Sequence, residues 1–317
     1  GYHIGNELKM VGINMNFAPT VDVYTNTEAN VIGPRAFSGD PEETARLSVA
    51  YYKGMQKAGI VCTAKHFPGH GSAAEDSHGT LPEIDTTMSV LWERELLPYR
   101  FLIRRDLPAV MSGHLSFPAI EEEGVPASLS SFFLEEILRG RLGFDGIIIT
   151  DDMRMHAVQD NDHDAPMACM QAFEAGNDVI MVSRDPEMYE RIWDLFHEEL
   201  QESDAFRNRL IDSVRRILRV KYSYLHGEDA VPIFPRPSSA ENEVPSEEAK
   251  SFFFNQACRS ASVIRNGRLP IGGEGENMLI AGQLRTFLRV GKQYYPRADT
   301  YYFPYTPFYE SSPSVRK

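Results

Sequence analysis

The sequence predicts an α/β protein: a (β/α)8 barrel of the TIM type that lacks its first strands, followed by the start of a smaller α/β domain. Three observations carry this prediction. Short apolar runs alternate with helical patterns. Polar residues with chemical potential fall at the C-terminal ends of those runs, one run after another. A stretch rich in Pro, Ser and Glu then separates this part from the C-terminal remainder of the chain.

The elements are taken in chain order. After an opening helical pattern, "GYHIGNELKMVG", come five strand-like runs: "GINMNFAPTVDV" (12–23), "GIVCTAKHF" (59–67), "LPAVMSGHL" (107–115), "FDGIIITDD" (144–152) and "GNDVIMVS" (176–183). Helical stretches at 41–58, 86–105, 131–141, 165–175 and 186–200 separate or succeed them, and 203–226 closes this part. The runs are nearly continuously apolar, as parallel strands covered on both faces should be. Asp22 ends the first run, Lys65 and His66 the second, His114 the third, Asp151 and Asp152 the fourth, and Ser183 and Arg184 the fifth. A barrel presents its functional groups in this way, whereas a doubly wound open sheet gathers them at one switch point. Since a closed barrel of this type has eight strands, the others are expected upstream of Gly1.

Residues 227–250, "GEDAVPIFPRPSSAENEVPSEEAK", read as a linker by composition. The expected division is a barrel domain over 1–228, a linker over 229–250 and a partial C-terminal α/β domain over 251–317. In that last part a helix is expected over 246–259, then strand-like "SASVIRN", a turn at Asn266-Gly267 and a second strand-like "NMLIAG". The tyrosine-rich remainder reads as irregular.

Composition narrows the function. Apolar residues make up 42% and charged residues 24%, the balance of a soluble globular protein. The net charge of −13 disfavours a nucleic acid or an anionic membrane surface as partner. No run reaches the roughly 20 apolar residues of a membrane span. Cys62, Cys169 and Cys258 are few and far apart, so buried reduced thiols are expected rather than disulfides or a metal site. Trp92 and Trp193 fall in helical patterns and are expected to pack in the core. Location is expected to be cytoplasmic, and oligomeric state is left open.

The stretch "KHFPGHGSAAEDSH" (65–78) concentrates titratable groups on a segment that Pro68 and Gly69 keep from being a helix. That break spoils the ligand spacing of His66 and His70, and no supporting ligand motif occurs elsewhere. Neither a metal nor a cofactor is therefore expected. Asp76 and His78 form an Asp-x-His pair, in which a carboxylate on one ring nitrogen raises the basicity of the other. Asp151 follows the buried run Ile147 to Thr150, so its carboxylate should lie in the barrel mouth, where it needs a donor partner or is functional. As a nucleophile it would suit a two-step displacement at an acetal carbon, with Asp76 and His78 as acid/base. Asp152 is expected to cap the next helix.

The stretches "NFAPTVDV", "VIGPRAFSGDP", "AKHFPGHG" with downstream "DSH", "VMSGHLSFPAI" and "GFDGIIITDDMRM" together resemble the family 3 glycoside hydrolases. Within that family they are similar to the β-N-acetylhexosaminidases that trim peptidoglycan fragments. The resemblance spans residues 1–230. It implies a barrel, followed in some members by an αβα sandwich of which the smaller C-terminal α/β domain would be the start, and a retaining mechanism through a covalent glycosyl-enzyme, with Asp151 as nucleophile, His78 as acid/base and Asp76 orienting it. It also implies that Arg35, Lys65 and His66 hold sugar hydroxyls, and it sets His114 and Met153 among the substrate-binding residues. His70, Pro68, Gly69 and Gly71 are expected to shape the loop. The family's upstream "D-x-E-G-G-R" type segment has no counterpart here, so the chain is expected to be a fragment of a longer product or to be inactive.

The leading expectation is therefore an exo-acting retaining β-N-acetylglucosaminidase acting on a small carbohydrate such as a peptidoglycan fragment. Two alternatives within the family are a phosphorylase using the same dyad and a β-glucosidase. The alternative of another class is a non-catalytic, incomplete barrel that only binds sugar.

Overall fold

The computed structural model describes residues 1–26, 32–73, 80–121, 124–158, 165–183, 185–227, 230–261, 273–275 and 277–303. They fall into two compact units, Gly1–Pro245 and Ser246–Lys317.

The first unit is built on a parallel sheet whose strands follow chain order: β1 (Met15–Asn16), β2 (Val61–Phe67), β3 (Ala109–Ser112) and β4 (Ile147–Thr150). Met15 lies opposite Val61, Thr63 opposite Ala109, and Ala109 opposite Ile147. Strands β3 and β4 are buried throughout, and in β2 only Lys65 is not fully buried, which accounts for their largely apolar character. The first and fifth runs are less regular than expected. After β1 the first run stays beside β2, with the Ala18 and Pro19 carbonyls accepting from the Thr63 and Lys65 amides and a bridge from Thr20 to Lys65, but it forms no further regular strand. The fifth run touches β4 through a single bridge, Ile149 to Val179, and through the Val179 and Met181 carbonyls, which accept from the Thr150 and Met153 amides.

Around the sheet lie α1 (Tyr2–Met10), α2 (Pro41–Ala58), α3 (Met88–Glu93), α4 (Leu96–Ile103), a π-helix (Phe132–Arg141), α5 (Ala165–Ala175), α6 (Pro186–Glu202), α7 (Asp204–Leu225) and α8 (Pro237–Glu243). Helix α2 shows how local sequence sets the boundaries. Asp40 caps it by accepting from the Glu43 amide at 2.7 Å, Pro41 occupies the first helical position, and Gly59 ends it at φ +81°. Thr44, Ala45, Ser48, Tyr52 and Met55 supply its buried face.

The single helix expected over 86–105 is two helices. Pro98 cannot donate to the Arg94 carbonyl one turn back and its ring would clash there, so the chain breaks at Arg94-Glu95 and restarts with Pro98 in the first turn of α4. The stretch 131–141 is helical but π-bonded, and it buries Phe133, Leu134, Ile137 and Leu138. Cys62 and Cys169 are buried thiols as expected, whereas Cys258 is exposed. Trp92 packs against the main core, but Trp193 is 71% exposed and stacks on His197. Its helix, α6, keeps only Met188 fully buried, which is why a tryptophan in a helical pattern need not be a core residue.

The second unit contains α9 (Glu247–Ser260), capped by Ser246, and a two-stranded parallel sheet of β5 (Leu279–Gly282) and β6 (Asp299–Tyr302) joined through α10 (Arg285–Tyr294). Residues 283–303 are thus not irregular. Leu288 of α10, Ile280 and Ala298 form a small core that orders it. The strand expected in "SASVIRN" and the turn at Asn266-Gly267 lie, from residue 262 on, outside the described residues.

At the end of β4 opposite Asp151, a fully buried carboxylate ties the first unit together. Asp178 accepts from the Ile148 amide at 2.9 Å, from Arg139 at 2.6 Å, from Arg216 at 3.0 Å and from Ser213 at 2.8 Å, with Arg209 at 3.4 Å. The π-helix, β4 and α7 meet on this one group. Asp178→Ala should lower the unfolding free energy by about 3–5 kcal/mol, because it leaves buried guanidinium groups without their counter-charge. Urea denaturation measures this, with exposed Asp212→Ala as a control that shifts the midpoint little.

Candidate active site

The ends of β2, β3 and β4, with the residues after β1, bring the sequence-predicted groups to one end of the sheet. The arrangement begins with Asp22, which is 1% exposed. Its Oδ1 accepts from the His70 amide at 2.7 Å and from the His66 amide at 3.2 Å, and its Oδ2 faces His66 Nδ1 at 2.8 Å. A carboxylate only accepts, so Nδ1 of His66 carries a hydrogen. Burial by itself would raise the Asp22 pKa. The His66 and His70 imidazoles and the hydrogen bonds outweigh it and hold the group below the usual carboxylate range.

His66, oriented by Asp22, turns its Nε2 toward Asp151 Oδ2 at 4.0 Å. The Lys65–His66 and Phe67–Pro68 peptides that lead through this corner are both cis. Asp151 follows β4 directly. Its backbone amide donates to the Ser112 carbonyl at the end of β3, and its Oδ1 accepts from the Asp152 amide at 2.9 Å. Burial pushes its pKa up, yet His66, His114, the Asp152 amide and Lys65 together hold it below the usual carboxylate range. Asp151 is therefore an ionised, partly accessible carboxylate at the mouth of the site.

Lys65 is half-buried. Burial lowers its pKa, Asp151 opposes that, and Arg35 lowers it further. Arg35 itself is exposed, on a 3-10 turn (Gly33–Arg35). Lys65 thus feels the charges of both Asp151 and Arg35.

His114 is deeper than expected of a substrate-binding residue. It is 1% exposed, its Nε2 donates to the Asp152 carbonyl at 3.2 Å, and its Nδ1 consequently accepts from Ser128 Oγ at 2.7 Å. Burial lowers its pKa, in keeping with a neutral ring. It props the Asp151-Asp152 turn. Met153 is a correction: fully buried among Val158, Ala168, Cys169, Ala172 and Met188, it has no surface to offer a ligand. Asp152 is another, since it caps no helix. Its Oδ1 accepts from the amides of Arg154 and Ser183, both at 3.1 Å, and so ties the fourth run to the fifth. Asp76, His78 and Arg184 lie outside the described residues.

Two supports escape a reading of the sequence. Ser128, which donates to His114 Nδ1, lies on a 3-10 turn well away in sequence from any strand end. Asn177 is fully buried, accepts from Ser112 Oγ at 2.7 Å and donates to the Ser128 and Ala172 carbonyls. A polar residue inside the apolar run "GNDVIMVS" is the available signal for it. Among the described residues no group of three or more His, Cys, Asp or Glu side chains is placed to hold a metal ion.

Comparison with known proteins fits this geometry. The sequence profile of the glycosyl hydrolase family 3 N terminal domain matches residues 1–220. A beta-hexosaminidase from Idiomarina loihiensis is 40% identical over 185 residues, 58% of this chain and 54% of its own. A solved glycoside hydrolase family 3 beta-N-acetylglucosaminidase from Paenibacillus sp. str. FPU-7 superposes with a TM-score of 0.78 at 34% identity, over 88% of this chain and 52% of that one. NagZ from Neisseria gonorrhoeae, solved in complex with N-trifluoroacetyl-D-glucosamine, gives 0.61 at 30% identity, over 78% and 66%. The chain spans about half the length of the curated relatives it matches, 54% and 55% for two of them.

His70 makes the site sensitive to acid. Burial, with His66 beside it, pushes its pKa down to about 4. The unfolded ring titrates near 6.5, so the folded form binds fewer protons between the two values. The stabilisation is complete above about pH 6.5 and is lost as pH falls toward 4. Between about pH 7 and pH 4.5 the unfolding free energy should drop by roughly 2–3 kcal/mol from this residue. Urea midpoints at the two pH values measure it, and His70→Asn should flatten the difference.

Proposed function

The chain belongs to glycosyl hydrolase family 3, and from that premise we propose that it carries the catalytic machinery of a retaining exo-β-N-acetylglucosaminidase. The observation that carries the proposal is Asp151: a carboxylate at a strand end, held ionised by His66 and Lys65, with Arg35 acting on Lys65 in turn. Relatives named beta-hexosaminidase and beta-N-acetylglucosaminidase support the choice of sugar. The Asp-x-His pair supports it as well.

In this reading Asp151 Oδ2 attacks the anomeric carbon of a terminal β-linked N-acetylglucosamine. The bond from that carbon to the leaving oxygen breaks, and His78, oriented by Asp76, gives the oxygen its proton. Water then attacks the same carbon, His78 takes the water's proton, and the Asp151 carboxylate is released. Two inversions leave the configuration retained. Lys65 and Arg35 donate to the sugar hydroxyls, while His66 keeps Asp151 charged between turnovers. The parallel sheet belongs to a (β/α)8 barrel in this reading, with residues 251–317 part of a further α/β domain. The substrate is a peptidoglycan fragment met in the cytoplasm.

The test is release of nitrophenol from the β-N-acetylglucosaminide and from the β-glucoside, without phosphate and with it. The first alone should be cleaved, to free N-acetylglucosamine rather than its 1-phosphate. Asp151→Asn should lower the rate by about a thousandfold or more. His78→Ala should cost about a hundredfold or more on an alkyl glycoside but far less on the nitrophenyl one, whose leaving group needs no proton. A folded chain that cleaves neither glycoside, or equal losses on both leaving groups, would contradict the assignment.

A further inference from the structure

Glu95 is a buried titratable group that the chemistry above does not use. It stands at the start of α4, where the chain breaks from α3, and its side chain is 1% exposed. Its Oε1 accepts from Arg94 Nε at 2.5 Å, whereas its Oε2 is buried with no hydrogen-bond partner among the described residues. A carboxyl at a helix start is normally drawn toward its charged form by the helix dipole. Here burial wins and raises the pKa against the pull of Arg94, with Asp22 raising it further. A bare buried oxygen costs less on a neutral carboxyl than on a carboxylate.

The other face of Glu95 is in contact with the site. Gly69 sits against it so closely that a Cβ there would stand 2.5 Å from Glu95 Cγ and 2.6 Å from its Cβ. Gly69 also has φ +144°, a conformation that favours glycine. The next residue, His70, gives its amide to Asp22, and Asp22 orients His66 toward Asp151.

We infer that Glu95 is a positioning residue: the floor under Gly69 that keeps the His70 amide on Asp22 and, through Asp22 and His66, keeps Asp151 charged. Glu95 is faced by Arg94 of its own turn and by Asp22 from the run after β1. Asp151 is faced by His66 and Lys65 of β2, by His114 after β3 and by the Asp152 amide. Loss of the floor loosens His66, the largest charge acting against burial on Asp151, so the Asp151 pKa rises. Because Glu95 works by the space its stem fills against Gly69, Gln is an adequate replacement and Ala is not.

The test combines two readouts on the full chain. Hydrogen exchange, read by peptide mass spectrometry, follows the His70 amide and does not depend on any activity. In Glu95→Ala it should exchange about tenfold faster or more, with β3 unchanged. The second readout is the pH profile of kcat/KM on the nitrophenyl β-N-acetylglucosaminide, and it rests on the function proposed above. Its acid limb should move up by about one unit in Glu95→Ala. Glu95→Gln should match the wild type in both. Glu95→Asp, one methylene shorter, should show the same effects in milder form and decides the matter if Glu95→Ala does not fold. Unchanged His70 exchange in Glu95→Ala, or a Glu95→Gln as impaired as Glu95→Ala, would overturn the inference. A wild type without glycosidase activity would instead count against the proposed function and leave the exchange readout standing.

Discussion

Everything at the site hangs on one buried carboxylate, Asp22, and the hydrogen bonds it accepts. It receives the amides of His66 and His70 and the imidazole of His66, and so fixes the turn after β2 to the run after β1. An isolated charge at that depth would be strongly unfavourable, and it persists because each oxygen has a donor or a positive neighbour. The benefit is transmitted. His66 is held in one orientation, its Nε2 faces Asp151, and Asp151 stays ionised although burial favours its neutral form. In the proposed reaction that charge is the nucleophile, so a group that touches no substrate sets the chemistry.

The two ends of the sheet divide the work. At the end where β4 begins, Asp178 gathers Arg139, Arg209, Arg216 and Ser213, and its oxygens are fully occupied. At the other end Asp151 has one backbone donor on Oδ1, and its Oδ2 lies 4.0 Å from His66 Nε2. The same residue type is saturated in one place and left partly available in the other. In parallel α/β folds the starting ends of the strands typically carry stability and the finishing ends carry function.

Much of this is legible in the sequence because it is local. The cap, proline and glycine of α2 mark its limits, and "IIIT" before Asp151 locates a strand-end carboxylate. The expectations that fail share a different character. Met153 belongs to the same motif as Asp151, but which way it points depends on packing against α5 and Met188. Asp152 has the local pattern of a helix cap, yet its partner is Ser183 on the next run. Asp22 stands out between two valines, although its partners come from β2 and no local pattern names them. Glu95 is hidden in an apparently continuous helix, and the clue is Pro98, which denies the Arg94 carbonyl its donor. Asp76 and His78 remain sequence assignments, since they lie outside the described residues.

The measurement that tests the central claim most directly is covalent trapping. The chain is mixed with a slow N-acetylglucosaminyl fluoride carrying a second fluorine at C5, digested at low pH and examined by mass spectrometry. A glycosyl adduct on the peptide carrying Asp151, absent in Asp151→Asn, is the predicted result. Turnover of the fluoride with no adduct, or an adduct on a different carboxylate, would contradict the assignment of Asp151 as the nucleophile.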